Sequence, residues 1–429
     1  MKDLLIDRLR AKRAVIGIIG LGYVGLPLVL RYSQVGYKVI GFDIDAAKAR
    51  KLAAGQSYIE HISAEDIARA NATGFEATTD FARVGEVDAI ILCVPTPLNK
   101  YREPDLSFVT QTVDSIVPHL REGQLVSLES TTYPGTTEEE LRPRIERSGF
   151  RVGETAFLVY SPEREDPGNL NFTTRTIPKV VGGSTAACLE AGLALYDSVI
   201  DTVVPVSSTK VAELTKLLEN TFRHVNIALV NELAQLCDRL GIDVWEVIDA
   251  ASTKPFGFMR FDPGPGMGGH CLPVDPFYLA FKARQHDFYP EFIVLAGKVN
   301  LAQPAFCVER IERALHQAGK PVNGSRILVL GASYKGGIGD TRESPALKII
   351  GRLQDLGADV AYHDAHVPEL RGHGLASVDL EEGLASADLA AIVTAHPDVD
   401  YERVAAVAPL VLDFRGVTRG FAADNVERL

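Results

Sequence analysis

The sequence predicts an α/β protein in which two doubly wound, parallel-sheet domains are joined by a central helical domain with a long connecting helix. Three observations support this prediction. Strand-like apolar runs alternate with helical patterns near the N-terminus, the same alternation returns towards the C-terminus, and one long helical pattern lies between them. The chain has 429 residues, more than one hydrophobic core normally serves. We expect the domains to cover 1–205, 206–305 and 306–429.

The first predicted domain is a series of strand–helix units. Its opening apolar run, 14–30, carries no charge and resembles a membrane span. The glycines and the proline within it fit a strand, a turn and a helix better, and no small-residue cleavage site is obvious. We therefore expect a cytoplasmic protein that does not enter a membrane. The predicted strands are Ala14–Ile19, Lys38–Phe42, Asp88–Val94, Leu125–Glu129 and Ala156–Tyr160.

The central domain is predicted from a single long helix. Apolar residues recur at three- and four-residue steps from Ser207 to Leu240, on more than one side, with no internal glycine or proline. This pattern is typical of a helix buried between domains or subunits, and Gly241 ends it. The C-terminal domain is predicted from the strands Ile327–Gly331, Asp359–His363 and Leu389–Thr394 and from a helix over Ser344–Leu356.

Composition excludes several classes of protein. The formal net charge of −12 argues against binding nucleic acid, which requires a basic surface. The five cysteines are odd in number and show no CxxC spacing, so we expect neither a disulfide framework nor a zinc site. We expect no metal cofactor. An anionic small ligand would need local lysine and arginine side chains.

A glycine-rich turn follows the first predicted strand. The segment 20–25 reads GLGYVG and leads into a helix, and Asp43 ends the second strand. Glycines here let a pyrophosphate approach the helix N-terminus, and the acid would bind the adenosine ribose and repel a 2′-phosphate. The motif predicts a Rossmann-like domain that binds NAD, with Lys48 and Arg50 nearby keeping NADP as an alternative. The predicted cofactor contacts are Gly20, Gly22, Tyr23, Val24, Gly25 and Asp43.

Cys271 lies between a glycine-rich loop, 264–269, and Pro273, which suits the first position of a helix. A cysteine just before the positive end of a helix favours the thiolate over the thiol. Asp275 would then lie in the first turn, as a partner or base. This arrangement predicts a nucleophilic cysteine, and the alternative is a buried cysteine in a structural loop.

Lys216 and Asn220 are four residues apart and therefore lie on one face of the long helix. A lysine on an apolar helix needs water or a charged partner. Its ammonium would stabilise an alkoxide or oxyanion, with Asn220 as a positioning donor. The alternative is a surface lysine whose stem packs on apolar neighbours.

Polar loops follow three of the predicted strands, at the edge where doubly wound sheets bind ligands. The loop Tyr160–Gly168 contains Glu163, which would serve as a general base, although a solvated charged loop fits the local sequence equally well. The loops Val94–Pro97 and Glu129–Gly135 would line the same cleft or be ordinary turns. The cofactor contacts predicted in them are Pro95, Thr96, Ser130 and Thr131.

A second glycine-rich loop, 334–345, joins a strand to a helix in the C-terminal domain. Its glycines together with Lys335 and Arg342 suit a phosphate-rich ligand, and a structural loop is the alternative. Two α/β domains that each offer such a loop suggest two nucleotide ligands.

In content and in order, these motifs resemble those of the UDP-glucose/GDP-mannose dehydrogenase family of nucleotide-sugar dehydrogenases, from Val15 to Arg419. The finer resemblance is to the UDP-N-acetylglucosamine 6-dehydrogenase branch, in Tyr160–Gly168, Thr253–Phe258 and Pro263–Cys271. The resemblance implies oxidation of a sugar CH₂OH to a carboxylate with two NAD⁺ used in turn. UDP-N-acetylglucosamine is the expected substrate, with UDP-N-acetylmannosamine and UDP-glucose as alternatives.

The same resemblance implies roles for single residues. Cys271 would add to the aldehyde intermediate to give a thiohemiacetal and then a thioester that water cleaves. Lys216 and Asn220 would stabilise charge on oxygen, and Asp275 would assist the water or base chemistry. The implied catalytic residues are Cys271, Lys216, Asn220, Asp275, Glu163 as the base, and Thr131, which would hold water near it.

Ligand contacts and assembly follow from the family pattern as well. Arg260 and Arg342 match ligand-binding arginines, and the long helix matches the dimer-forming element, so we expect a homodimer or a higher homo-oligomer. One position departs from the pattern, because UDP-glucose-type relatives carry a second glutamate where this chain has Pro167. The implied substrate contacts are Glu163, Arg164, Lys216, Asn220, Arg260, Phe256, Gly268, His270 and Lys335, and Arg342 is counted with the cofactor.

Two other functions fit part of the sequence. A two-electron β-hydroxyacid dehydrogenase also joins a Rossmann domain to a long helix with a lysine and an asparagine, but Cys271 and the C-terminal domain are superfluous in it. A catalytically silent nucleotide sensor is the second alternative, although every residue type of the catalytic set is present.

Overall fold

The computed structural model of the protein describes residues 1–59, 62–164, 172–269 and 271–429. They form two compact units. Unit 1 comprises Met1–Glu219 and Phe281–Asp287, and unit 2 comprises Asn220–Ala280 and Phe288–Leu429. The chain passes from the first unit to the second within one long helix.

Unit 1 is built, in the described ranges, around an eight-stranded sheet. Its strands are β1 (Val15–Ile19), β2 (Lys38–Phe42), β3 (Glu76–Thr78), β4 (Ala89–Leu92), β5 (Leu125–Leu128), β6 (Phe157–Tyr160), β7 (Lys179–Gly183) and β8 (Val203–Val206). Their order is β3-β2-β1-β4-β5-β6-β7-β8, and every neighbouring pair is parallel except β6 and β7. The strand order reverses beside β1, so the loops after β1 and β4 lie where such sheets bind ligands.

The helices of unit 1 cover its sheet. Those before the long helix are α1 (Lys2–Arg10), α2 (Gly25–Val35), α3 (Ala46–Ala53), α4 (Ala64–Ala72), α5 (Ser107–Ile116), α6 (Arg142–Arg147) and α7 (Ala186–Tyr196). The sequence patterns did not predict α1. It is nevertheless part of the core, because Leu5, Ile6 and Leu9 are buried and the Tyr37 hydroxyl donates a hydrogen bond to the Leu9 carbonyl over 2.7 Å.

The long connecting helix, α8, runs from Thr209 to Leu240. The prediction of a long helix that is apolar on more than one side is confirmed. One apolar face is buried in the protein, and a second one is exposed. The buried face includes Ala212, Leu217, Ala228, Val230, Ala234 and Cys237. The exposed apolar residues are Val211, Leu214, Leu218, Phe222, Leu229, Leu233, Leu236 and Leu240.

Unit 2 carries a second parallel sheet. Over the residues described, its strands are β9 (Arg326–Leu330), β10 (Asp359–His363), β11 (Glu369–Leu370), β12 (Leu375–Ala376), β13 (Leu389–Ile392), β14 (Val411–Asp413) and β15 (Val426–Arg428). The main sheet has the order β10-β9-β13-β14-β15 with all pairs parallel, and β11 and β12 form a separate antiparallel pair. The helices after α8 are α9 (Val244–Ser252), α10 (Asp275–Arg284), whose residues from Phe281 onwards belong to unit 1, α11 (Glu291–Gln317), α12 (Pro345–Asp355), α13 (Leu380–Ser386) and α14 (Tyr401–Val407).

Helix α11 is long and apolar enough to cross a membrane, by length and composition only. Its side chains Cys307, Ile311 and Leu315 are fully buried in the hydrophobic core of unit 2, and the helix packs on α12. This packing is that of a core helix.

The two parallel-sheet domains and the long connecting helix confirm the predicted fold class. The predicted strands differ from the observed ones only at their ends. Val94, Glu129 and Thr394 lie in loops, because the ladder pairs of their strands end before them.

Candidate active site

The glycine-rich turn after β1 has the backbone that a dinucleotide requires. Gly20 has φ +92°, and a Cβ there would collide with the Cys93 carbonyl oxygen. A Cβ on Gly25 would collide with the Gly20 carbonyl oxygen, whereas one on Gly22 would have no described atom within 4 Å. In the described chain no side chain caps the first turn of α2, which begins at Gly25. The positive end of this uncapped helix and the open side of Gly22 fit a pyrophosphate, so the residues present suit NAD.

Asp43 follows β2 and is tied to this turn. Its carboxylate accepts hydrogen bonds from the Leu21 N–H over 3.0 Å and from the Asp45 N–H over 2.9 Å. The Lys48 ammonium lies 3.1 Å from the same carboxylate, whereas Arg50 is exposed on α3. The acid is therefore fixed beside the glycine turn, with one cation close to it.

The loops after β4 and β5 are joined to each other and to α8. The Ser130 hydroxyl donates to the Val94 carbonyl over 2.8 Å. The buried Glu213 carboxylate accepts hydrogen bonds from the Gly135 N–H and from the N–H and hydroxyl of Thr137. Burial raises the pKa of Glu213 to about 7, against the effect of these donors. Of the other predicted cofactor contacts, Thr96 is buried, Val24 and Thr131 are partly exposed, and Tyr23 and Pro95 are exposed.

Glu163 follows β6 and is paired with a buried lysine that was not predicted. The Lys179 ammonium lies 3.2 Å from the Glu163 carboxylate and 2.8 Å from the Glu129 carboxylate. Lys179 and Glu129 are only 4% and 1% exposed. A sequence signal exists for Lys179, because it opens the otherwise apolar strand β7. The part of the Tyr160–Gly168 segment from residue 165 onwards, which includes the Pro167 departure, lies outside the described residues.

Arg164, a predicted substrate contact, is bound to α8. Its guanidinium donates two hydrogen bonds to the Glu219 carboxylate, over 2.6 and 3.1 Å, and one to the Pro178 carbonyl over 2.6 Å. Its N–H donates to the Glu163 carboxylate over 2.7 Å. Arg164 therefore anchors the start of this loop and helps to orient Glu163.

Lys216 is a buried cation on α8. It is 7% exposed, and among the residues described its ammonium forms no ion pair or hydrogen bond. A buried charge without a partner is destabilising unless a ligand supplies the opposite charge. This is the electrostatic condition that a developing alkoxide or oxyanion requires.

Three predicted residues meet at the start of α10 in unit 2. The Cys271 carbonyl accepts hydrogen bonds from the N–H groups of Val274 and Asp275, over 3.1 and 2.8 Å. The Asn220 amide donates to the Asp275 carboxylate, and both side chains are buried. The prediction that Pro273 opens the helix is wrong by two residues, because the residues after Cys271 form a turn before α10 begins at Asp275.

Cys271 differs from most other cysteines in its exposure. It is partly exposed next to the N-terminal end of α10, where the helix dipole favours a thiolate. The alternative of a buried structural cysteine does not fit this exposure. The cysteines that are buried are Cys188, Cys237 and Cys307.

The cysteine loop packs on the second glycine-rich loop within unit 2. A Cβ on Gly268 would lie 2.5 Å from the Tyr334 Cβ. Gly269, with φ +84°, donates its N–H to the Arg342 carbonyl over 2.9 Å. The loops 264–269 and 334–345, which are far apart in the sequence, are therefore packed against each other.

The other predicted ligand contacts lie mostly at the surface of unit 2. The Arg342 guanidinium pairs with the Asp340 carboxylate, the shortest distance being 2.6 Å. Arg260 pairs with Asp249 over 2.6 Å and with Asp262 over 2.8 Å. Phe256 is exposed, Lys335 is partly exposed, and His270 lies outside the described residues.

Arg415 was not predicted, yet it lies beside the cysteine loop. A Cβ on Gly264 would lie 2.8 Å from the Arg415 guanidinium. Burial lowers the pKa of Arg415, and the carboxylates of Asp262 and Asp413 oppose this effect. The signal that would have found it is its place just after β14, at the carboxyl edge of the sheet.

One histidine cluster in unit 2 has the spacing of a metal site. His366, His396 and Asp398 place ligand atoms within 4.8 Å of one another. His396 already uses both ring nitrogens, since Nδ1 accepts from the Gly337 N–H over 3.2 Å and Nε2 lies 3.1 Å from the Asp364 carboxylate. The cluster therefore supports the glycine-rich loop and offers no free nitrogen of His396 to a metal.

Comparison with known proteins identifies the family. Models of the UDP-glucose/GDP-mannose dehydrogenase family match as its NAD binding domain over 14–200, its central domain over 210–302 and its UDP binding domain over 328–420. The chain belongs to the UDP-glucose/GDP-mannose dehydrogenase family. Its cofactor is NAD, and the UDP binding domain supports a UDP-sugar as substrate.

Individual members of the UDP-glucose/GDP-mannose dehydrogenase family are similar over most of the chain. Protein CapL of Staphylococcus aureus is 35% identical over 96% of this chain and 98% of its own length. The UDP-N-acetyl-D-glucosamine 6-dehydrogenase of Pseudomonas aeruginosa is 37% identical over 82% of this chain and 83% of its own. Among solved structures, UDP-D-ManNAc dehydrogenase from Pyrococcus horikoshii matches with a TM-score of 0.87 at 31% identity, over 96% of this chain and 98% of that one.

Proposed function

We propose that the protein oxidises the C6 alcohol of UDP-N-acetylglucosamine to the carboxylate in two NAD⁺-dependent steps. The observation that carries this proposal is the group of Cys271, Asp275 and Asn220 at the start of α10. Oxidation of an aldehyde by hydride transfer requires a tetrahedral adduct, which a cysteine supplies. A two-electron alcohol dehydrogenase has no use for such a nucleophile.

Cys271 performs the covalent chemistry in this mechanism. Its thiolate forms a C–S bond to the aldehyde carbon, and the carbonyl oxygen takes up the negative charge. When bound, NAD⁺ accepts one hydride in each of the two oxidations. Loss of hydride from the adduct carbon leaves a thioester on Cys271. Water then attacks the thioester carbon, the C–S bond breaks, and the carboxylate and the thiolate are released.

The other residues act on charges and protons. The Lys216 ammonium, which forms no ion pair with any described residue, stabilises the sugar alkoxide and later the oxyanion of the adduct. Asp275, held by Asn220, takes the proton of the Cys271 thiol. Glu163 takes the proton of the C6 hydroxyl in the first oxidation and later a proton from the attacking water, which Thr131 holds near it. The Asp43 carboxylate binds the adenosine ribose, and Lys335 binds the phosphates of the UDP-sugar.

The identity of the sugar is supported by similarity and tested by stoichiometry. One relative is named as a UDP-N-acetyl-D-glucosamine 6-dehydrogenase and one solved structure as a UDP-D-ManNAc dehydrogenase. We expect the purified protein to release two NADH for each UDP-N-acetylglucosamine consumed, with UDP-N-acetylmannosamine and UDP-glucose slower. Absorbance of NADH and the mass of the product measure both quantities.

Each other outcome of this substrate panel has a definite meaning. One NADH for each sugar would show a two-electron dehydrogenase. Faster turnover of UDP-N-acetylmannosamine would assign that substrate instead. No turnover of any nucleotide sugar, despite measurable binding of NAD, would support the silent sensor.

We also propose that the protein is a homodimer that pairs through the exposed apolar face of α8. Monomeric proteins rarely expose contiguous apolar patches larger than a few hundred Å², and such patches mark interaction sites. Light scattering is expected to give twice the 46.5 kDa mass of one chain. Substituting the exposed Leu229 and Leu233 with glutamate should reduce the mass to that of one chain. A single-chain mass for the unaltered protein would contradict the proposal.

A further inference from the structure

Unit 1 contains a buried chain of charged and polar groups that leads to Glu163. The Lys179 ammonium lies between the carboxylates of Glu129 and Glu163, at 2.8 and 3.2 Å. We propose that Lys179 is a positioning residue that fixes the orientation and the ionisation of Glu163, and that Glu129 competes with Glu163 for this one cation. The inference rests on the proposed function, in which Glu163 is the base.

The inner end of this chain is fixed. The Glu129 carboxylate is fully buried and accepts a hydrogen bond from the Tyr196 hydroxyl over 2.7 Å. The Tyr196 hydroxyl in turn lies 2.7 Å from the Ser127 hydroxyl. The side chain of Glu163, by contrast, is 14% exposed. Lys179 therefore joins a hydrogen-bonded carboxylate in the core to a carboxylate that reaches solvent.

An ammonium at this depth is retained only because it is paired. Burial alone would lower the pKa of Lys179, but Glu129 and Glu163 more than offset this effect and hold the pKa above its usual value. Removing a partner from a buried ion pair leaves an uncompensated charge, which the remaining groups relieve by taking up or releasing a proton. The ionisation of each carboxylate consequently depends on the other two groups.

The remaining titratable groups around Glu129 stay neutral near pH 7. Burial raises the pKa values of Tyr32 on α2, Cys93 after β4 and Tyr196 on α7, and the Glu129 charge raises them further. Glu129, by contrast, has a pKa raised into the range of an activity assay.

The ionisation of Glu129 controls how strongly Lys179 holds Glu163. Burial raises the pKa of Glu129 to about 7, while Lys179 opposes the shift and Glu163 adds to it. Below this pKa, Glu129 is neutral and the ammonium compensates Glu163 alone. Above it, two carboxylates share one ammonium, and like-charge repulsion makes Glu163 the stronger base. The network therefore strengthens the base as the pH rises through neutrality.

Two substitutions should move the pH profile of kcat in opposite directions. In Lys179→Met the two carboxylates lose the Lys179 ammonium. The midpoint of the acid limb should therefore move to higher pH by at least about one unit. In Glu129→Gln the ammonium is paired with Glu163 and no longer with a second carboxylate, so the midpoint of the acid limb should move to lower pH. KM for the UDP-sugar should change less than about threefold in both variants. Lys179→Arg keeps a cation at this position, so it should have the pH profile of the unaltered protein.

The direction in which each substitution moves the acid limb tests the inference. A purely structural role would lower stability and leave the acid limb in place. If Lys179→Met does not fold, Glu129→Gln still decides, because it replaces a buried charge with a neutral group of the same shape. An acid limb that stays in place or rises in Glu129→Gln would overturn the inference.

A measurement without substrate separates this inference from the proposed function. The pKa of Glu129 is raised in the folded state, so between its ordinary pKa and about 7 the folded chain binds more protons than the unfolded chain. This group therefore makes the free energy of unfolding fall as the pH rises through that window, and Glu129→Gln should remove that part of the fall. An unchanged pH dependence would contradict the network, whereas a substrate panel without NADH would contradict only the proposed function.

Discussion

Replacing Cys271 with serine is expected to abolish release of the sugar carboxylate, with kcat for that product falling by at least about 10³-fold. Serine has nearly the same shape, but its hydroxyl is not ionised at neutral pH and forms no stable adduct with the aldehyde. The glycine turn expected to bind the cofactor is unaltered, so the affinity for NAD⁺ should change less than about twofold. Product mass spectrometry and fluorescence titration with NADH measure the two quantities.

A matched control is available for this prediction. Cys237 is a cysteine of α8 that is buried in the core of unit 2, and Cys237→Ala removes a thiol without touching the site. This variant should retain full stoichiometry of two NADH. Full activity of Cys271→Ser would refute the thioester route, whatever the result for Cys237→Ala.

Replacing Lys216 with alanine is expected to lower kcat by about 10² to 10³-fold while changing KM for the UDP-sugar less than about threefold. In the proposed mechanism the buried ammonium meets its full counter-charge only when oxygen becomes anionic, so its interaction strengthens in the transition state. The same variant should have a higher melting temperature than the parent, because it removes a buried cation that is unpaired among the described residues.

Lys210 provides the comparison for Lys216. It lies on the same helix but is exposed, so Lys210→Ala alters the net charge equally and leaves the site intact. Its kcat and melting temperature should match those of the parent. A Lys216→Ala variant with a large rise in KM and an unchanged kcat would show that the lysine only binds substrate.

The parts of the site that depend on local sequence could be predicted. The glycines of the 20–25 turn, Asp43 at the end of β2, and Asp275 just beyond Cys271 are set by neighbours within one strand, turn or helix. Backbone sterics and helix geometry act over such short spans. The predicted start of α10 was two residues too early, because the turn before the helix has the same hydrogen-bonding pattern as a first helical turn.

The parts that depend on distant contacts could not be predicted. Glu129 and Glu163 meet Lys179 from 50 and 16 positions away, and only the pairing of β5, β6 and β7 brings them together. Arg415 reaches the cysteine loop from a strand near the C-terminus in the same way. A sequence pattern shows which side of one helix or strand is buried. It does not show which charged residue of another element pairs with a buried charge.

The close packing of Gly268 against Tyr334 limits how the enzyme can be altered. Any larger side chain at position 268 would push the Cys271 loop away from the loop expected to hold the diphosphate. Attempts to change which sugar is accepted should therefore leave this glycine untouched and vary positions whose side chains already point into open space.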